Sequence, residues 1–238
     1  MRTRIFLSIV LLIVSMSAWS SGGVVAMDHS VWNSLLQRYV SSEGKVDYSG
    51  FESDRLFAEY INELKGNHPD DSWTKSEQMA YWINAYNAFT IQLITQNIPL
   101  KSIKDITEPW DNKFIIIEGK NYSLNDIENR ILRKGFNDPR IHFAVNCASI
   151  SCPKLWNKAF TGGNLEGSLD KLTRGFINDP GYNTIKNREI VISPLFEWYA
   201  EDFTSKGSLI SYLNRYSKVV ISQGANVTYG SYNWALNN

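Results

Sequence analysis

Apolar and polar positions recur with a helical period along much of the chain. In "SVWNSLLQRYV" the apolar residues Val31, Leu35, Leu36 and Tyr39 fall three and four apart, which predicts a helix with one buried face. "DRLFAEYINELKG" repeats the pattern through Leu56, Tyr60, Ile61 and Leu64, with Gly66 as its expected C-cap. "TKSEQMAYWINAYNAFTIQLITQN" is apolar on nearly every side, so it predicts a helix buried all round. Thr74 and Glu77 have the spacing of a capping box at its start, and Pro99 stops it.

The pattern then changes. "FIIIEGKNYSL" predicts a β-hairpin turning at Glu118-Gly119-Lys120. Ser123 and Asp126 cap a further helix, "LNDIENRILRK", which stops at Gly135. "RIHFAVNC" is rich in β-forming residues after Asp138-Pro139 and predicts a central strand. "NLEGSLDKLTRGFIN" is an amphipathic helix and "EIVI" a short strand. Ser193 and Pro194 open a helix over "PLFEWYAEDF", "SLISYLNRY" is another, and "NVTYGSYNWAL" is a last strand. The class expected is α+β: a mostly helical single domain over 27–238 with a small, largely antiparallel sheet.

The N-terminus follows different rules. Arg2 and Arg4 precede an apolar run from Ile5 to Val14, and small residues follow to Ala26. That order predicts a signal peptide over 1–26, cleaved between Ser20 and Ala26. The run falls short of the ~20 apolar residues a membrane span needs. The expected mature protein is therefore exported, periplasmic or secreted, with no transmembrane span. Lys and Arg balance Asp and Glu at 24 each, and no basic stripe offers itself to a phosphate backbone, so nucleic acid is an unsuitable partner. The partner expected is a small-molecule or peptide-like ligand.

Candidate chemistry concentrates in "HFAVNCASISCPKL". It holds both cysteines of the chain, Cys147 and Cys152, and one of its three histidines, His142. A short disulfide, a metal site and a thiol nucleophile with its base are the alternatives. Asn84 and Asn87 stand three apart on the buried helix, where amides demand partners. They are binding candidates, either pinning backbone near Cys147 or donating to an oxyanion.

Taken in order, "GKVDY", "YWINAYNAFTI", "YSLNDIENRILR", "DPRIHFAVNCASISCPKL", "LFEWYAEDF" and "YNWALN" resemble the bacterial branch of the domain of unknown function 547 family. The resemblance runs from about Val46 to Leu236 and implies a domain without a settled activity. In the family pattern the position of Cys147 is the steadier of the two cysteines, and plant members put a small polar residue at the second. Two departures stand out. Asn129 replaces a frequent His, and Lys154-Leu155-Trp156 replaces an Ala-Leu-Arg ending, so no role passes to those positions.

Under the nucleophile reading, Cys147 attacks and an imidazole raises its thiolate fraction. His29 adjoins the signal region and His68 lies in a polar loop, which leaves His142 as the base. Residues 142 and 147 differ by an odd number, so on a straight strand they face opposite ways. A bend after Val145 is required to bring sulfur and imidazole together. Glu128 is the first choice of carboxylate to orient His142, with Glu201 and Asp202 as the others. Glu201 is also carried as a binding candidate. Zinc would find three ligands where it wants four, so no metal and no cofactor is expected. Trp82, Tyr86, Trp198 and Tyr199 read as core. Two functions result: a Cys-dependent hydrolase or acyltransferase acting on amide or peptide-like bonds, or a non-catalytic binding domain with a Cys147–Cys152 disulfide.

Overall fold

A computed structural model describes residues 26–238; the signal-peptide expectation falls on residues outside that range, apart from Ala26. Helices α1 (Ser30–Tyr39), α2 (Tyr48–Ser53) and α3 (Arg55–Gly66) pack around α4 (Lys75–Thr95). The capping box of α4 forms as its spacing predicts: Thr74 Oγ1 accepts from the Glu77 N–H, and the Glu77 carboxylate accepts from the Thr74 N–H. From Met79 to Ile91 every residue of α4 is buried. It is the central pillar of the larger hydrophobic cluster, which also takes Trp32 and Leu36 of α1 and Tyr60 and Leu64 of α3.

The hairpin is β1 (Ile115–Ile117) with β2 (Lys120–Tyr122), antiparallel. Glu118 and Gly119 both take positive φ at its turn, the conformation a tight two-residue hairpin requires. The segment "DIENRILR" winds as a π-helix, Asp126–Arg133, and runs on into the short α5 (Lys134–Phe136). Then comes a departure from the sequence reading. "RIHFAVNC" is not a strand: Pro139–Phe143 is a 3-10 helix, capped by Asp138, and the chain leaves it as a loop. Pro at the first position and the Asp138 carboxylate on the Arg140 N–H favour a helical start, which outweighs the β propensity of Ile141, Phe143 and Val145.

The rest comprises α6 (Leu165–Ile177), β3 (Thr184–Ile185), β4 (Glu189–Ile192), α7 (Leu195–Trp198), α8 (Ala200–Thr204), α9 (Leu209–Asn214) and β5 (Asn226–Tyr229). β3 pairs antiparallel with β4, and β4 pairs parallel with β5. The class is α+β, mostly helical, with two small sheets in place of one. A second hydrophobic cluster lies here, around Phe176, Ile192, Phe196 and Leu213. Ile141 belongs to the first cluster and Phe143 to the second. His142 lies between those two residues in the chain, at the seam between the two cores. Among the described residues no helix is long and apolar enough to cross a membrane.

Candidate functional site

The loop that follows the 3-10 helix is held by three asparagines. Asn87 Nδ2 donates to the Ala144 carbonyl at 2.9 Å, and its Oδ1 accepts from the Asn146 N–H at 2.9 Å. Asn146 donates to the Pro153 carbonyl and accepts from the Ala148 N–H, tying both ends of the Cys loop together. Ala148 sits in the left-handed region at φ 59°, a conformation that costs a non-glycine residue energy and needs such support. Asn237 donates to Asn146 Oδ1 from the far end of the chain. Asn84 makes the same two-point clamp on the Phe160 backbone. Asn84 and Asn87 are buried with their amide donors engaged on carbonyls. They do not line the cavity described next, which corrects their place among the binding candidates.

The loop delivers Cys147 to the wall of a cavity of about 230 Å³. His142, Glu128 and Cys152 line the same cavity. The two cysteines are free thiols, with sulfurs 2.9 Å apart. Cys147 Sγ also lies 3.2 Å from Ser149 Oγ and 3.3 Å from the Tyr232 hydroxyl. Ser149 donates to the Tyr232 oxygen at 3.1 Å, which leaves the tyrosine proton for the sulfur. The Cys152 thiol, helped by the Tyr232 hydroxyl, draws the Cys147 thiol below its ordinary pKa against the effect of burial. Burial pushes the Cys152 thiol well up, so Cys147 is the one that ionises.

The expected contact between Cys147 and His142 is not formed. His142 Nε2 lies 2.6 Å from Asp202 Oδ2, and its ring stacks on Tyr199 with centroids 3.9 Å apart. Asp202 also takes two hydrogen bonds from Arg133. Burial by itself would raise the Asp202 carboxyl, but the bonds from His142 and Arg133 outweigh it and hold it well below the usual carboxylate range. Asp202, not Glu128, is therefore the carboxylate that orients His142.

Glu128 faces two phenols instead: Tyr86 donates to it at 2.8 Å and Tyr199 at 2.6 Å. Burial, reinforced by Glu128, pushes both phenols up, so they stay donors. Glu128 is the nearer of the two to His142 in sequence, but the α7–α8 turn brings Asp202 in from further along the chain. Glu201, its neighbour, is exposed and lines no part of the cavity. Trp82 and Tyr86 are core, as expected, although Tyr86 also lines the cavity; Tyr199, read as core, is only partly buried and lines it too. Trp198 is not core: its ring is 48% exposed at the cavity. Among the described residues no group of three or more His, Cys, Asp or Glu is placed to hold a metal ion.

A family model described as "Protein of unknown function, DUF547" matches residues 71–177. Over that stretch the chain is similar to the DUF547 family. No curated protein and no solved structure matches it. The DUF547 match takes in α4, Glu128, His142 and the whole Cys loop, but somewhat less than half of the chain. Trp198, Tyr199, Asp202, Tyr232 and Trp234 come from beyond it, so the DUF547 region supplies the thiol and imidazole while later segments complete the wall. Tyr232 and Trp234 were missed as site residues. The closing "YNWALN" carried a signal for them, but its aromatics read as strand.

Proposed function

We propose that this protein is a Cys-dependent hydrolase or acyltransferase acting on amide or peptide-like bonds. The observation that carries the reading is the thiol of Cys147, with three polar partners on its sulfur, opening on the cavity that also holds an Asp202-oriented imidazole. In the reaction, the Cys147 sulfur attacks the substrate carbonyl carbon and the thiol proton passes to His142. The C–N bond breaks, and the leaving amine takes that proton. Water, or a second nucleophile, then attacks the thioester, with His142 accepting its proton and Cys147 leaving. Sulfur and imidazole make no direct hydrogen bond, so the transfer requires substrate-induced approach of the two groups or a water that carries the proton between them. The dyad resembles in its roles the base–orienter pair of other acyl-transfer sites.

The test is acylation by an activated ester, p-nitrophenyl acetate, followed by peptide mass mapping. One acetyl group on Cys147 is expected, absent in Cys147→Ser and formed more slowly in His142→Gln. Acetylation spread over lysines, or unaffected by loss of His142, overturns the proposal. A second reading, a non-catalytic binding domain, draws on the closeness of the two sulfurs, which an oxidant would join. Titration of freshly purified native protein separates the two: two free thiols fit the enzyme, none fits the bridged binding domain. The basic head and apolar run before Ala26 support export in either case.

A further inference from the structure

The cavity around Cys147 is built largely of aromatic rings. Tyr86, Trp110, Trp198, Tyr199, Tyr232 and Trp234 line it. Four of them form a continuous array: Tyr232 lies 4.5 Å from Trp234 and 4.8 Å from Trp198, and Trp110 lies 5.6 Å from Trp234, between ring centroids. Trp198 stays half exposed here while most large rings of the chain are buried. An indole left in solvent at the rim of a cavity is what a ligand platform looks like.

The charge of the wall is one-sided. Glu128 lines the cavity as a carboxylate that is only 7% exposed, and no Lys or Arg lines it. Arg133, the cation whose field reaches Glu128, makes its ion-pair contact with Asp202 instead. The Glu128 oxygens have two phenol donors and no ion-pair partner among the described residues. A group of π faces beside a carboxylate that has no ion-pair partner among the described residues attracts a cation from both sources at once. One member of the array already binds one on its face: the Lys104 ammonium sits 3.9 Å over the Trp234 ring.

We infer that the cavity receives an alkylammonium group, so that the amide or ester presented to Cys147 carries a positive charge close to its scissile carbonyl. This rests on the thiol reading above and names its substrate class. Plain acyl chains pack on the rings but make no use of Glu128, and neutral sugars can donate hydroxyls to it without drawing on its charge.

The test is a calorimetric titration of the Cys147→Ala protein with choline, with butylamine, and with 3,3-dimethyl-1-butanol, the uncharged isostere of choline, at matched ionic strength. Saturable binding of a cation is expected, about ten-fold tighter than the isostere. Glu128→Gln and Trp198→Ala should each weaken the cation several-fold. Trp198 is half in solvent, so its variant folds, and circular dichroism confirms it. Equal affinity for choline and its isostere, or no binding by either cation, overturns the inference. The titration uses no thiol, so its failure alongside intact Cys147 acylation removes the substrate class and leaves the chemistry standing.

Discussion

Asp202 and His142 lie 60 positions apart in the sequence and 2.6 Å apart in space. The carboxylate holds an imidazole that is 1% exposed, and Arg133 holds the carboxylate. This three-member chain joins α8, the π-helix and the 3-10 helix at the seam between the two cores.

Breaking that chain should cost both stability and imidazole order. In Asp202→Asn, Arg133 loses its charge partner and His142 its acceptor. Asp202 is partly exposed, so the loss should be about 1–3 kcal/mol and not the larger figure of a fully buried pair. Chemical denaturation measures it. Nitrogen NMR of His142 should show the tautomer populations redistributed, which a stability change elsewhere would not do.

The thiol of Cys147 should alkylate with an apparent pKa below the ordinary ~8.5 of a free cysteine. Replacing the donors raises it: Cys152→Ala most, since its thiol contributes most to the lowering, and Tyr232→Phe less. Iodoacetamide rates against pH supply the measurement. A profile that stays near 8.5 in the native protein, unmoved by either change, contradicts the hydrogen bonding around the sulfur.

Asn87→Ala leaves the Ala144 carbonyl and the Asn146 N–H unpaired in the core. Asn84→Ala does the same to the Phe160 backbone. Each should lose about 1–3 kcal/mol and several degrees of Tm. Only Asn87→Ala should also alter the alkylation rate of Cys147, because only Asn87 supports that loop.

His29 gives the fold a pH dependence. Burial lowers its pKa from 6.5 to about 4, and its Nδ1 lies 2.8 Å from the Tyr60 hydroxyl. The unfolded chain takes up a proton below pH 6.5 while the folded chain does not until about 4. Stability from this residue is therefore complete above about pH 6.5 and declines as pH falls toward 4, by roughly 3 kcal/mol in all. Denaturation at pH 7 and pH 4.5 should show the decline, and His29→Gln should flatten it.

Expression in a bacterial host should yield an exported chain lacking its first 20 to 26 residues. Intact mass of the secreted or periplasmic protein reads the cut directly. A full-length species in the membrane fraction contradicts it.

The sequence alone determined most of the local structure. The capping box of α4, the burial of α4, the hairpin and the amphipathic α1, α3 and α6 follow from spacing, because each depends on residues a few positions apart. It also marked Cys147, His142 and the two buried asparagines, since rare side chains in apolar surroundings are conspicuous in any sequence. What it could not supply was contact between distant segments. Asp202 and Glu128 are both carboxylates in helical segments, and only the packing of the α7–α8 turn against the 3-10 helix decides which one meets His142. Tyr232 and Trp234 look like strand residues until the final segment folds back over the Cys loop, where Ile150 donates to the Ala235 carbonyl. The 3-10 helix itself is a tertiary choice. Asp138 and Pro139 start it, and burial of Ile141 in one core and Phe143 in the other keeps it against the β propensity of its own residues.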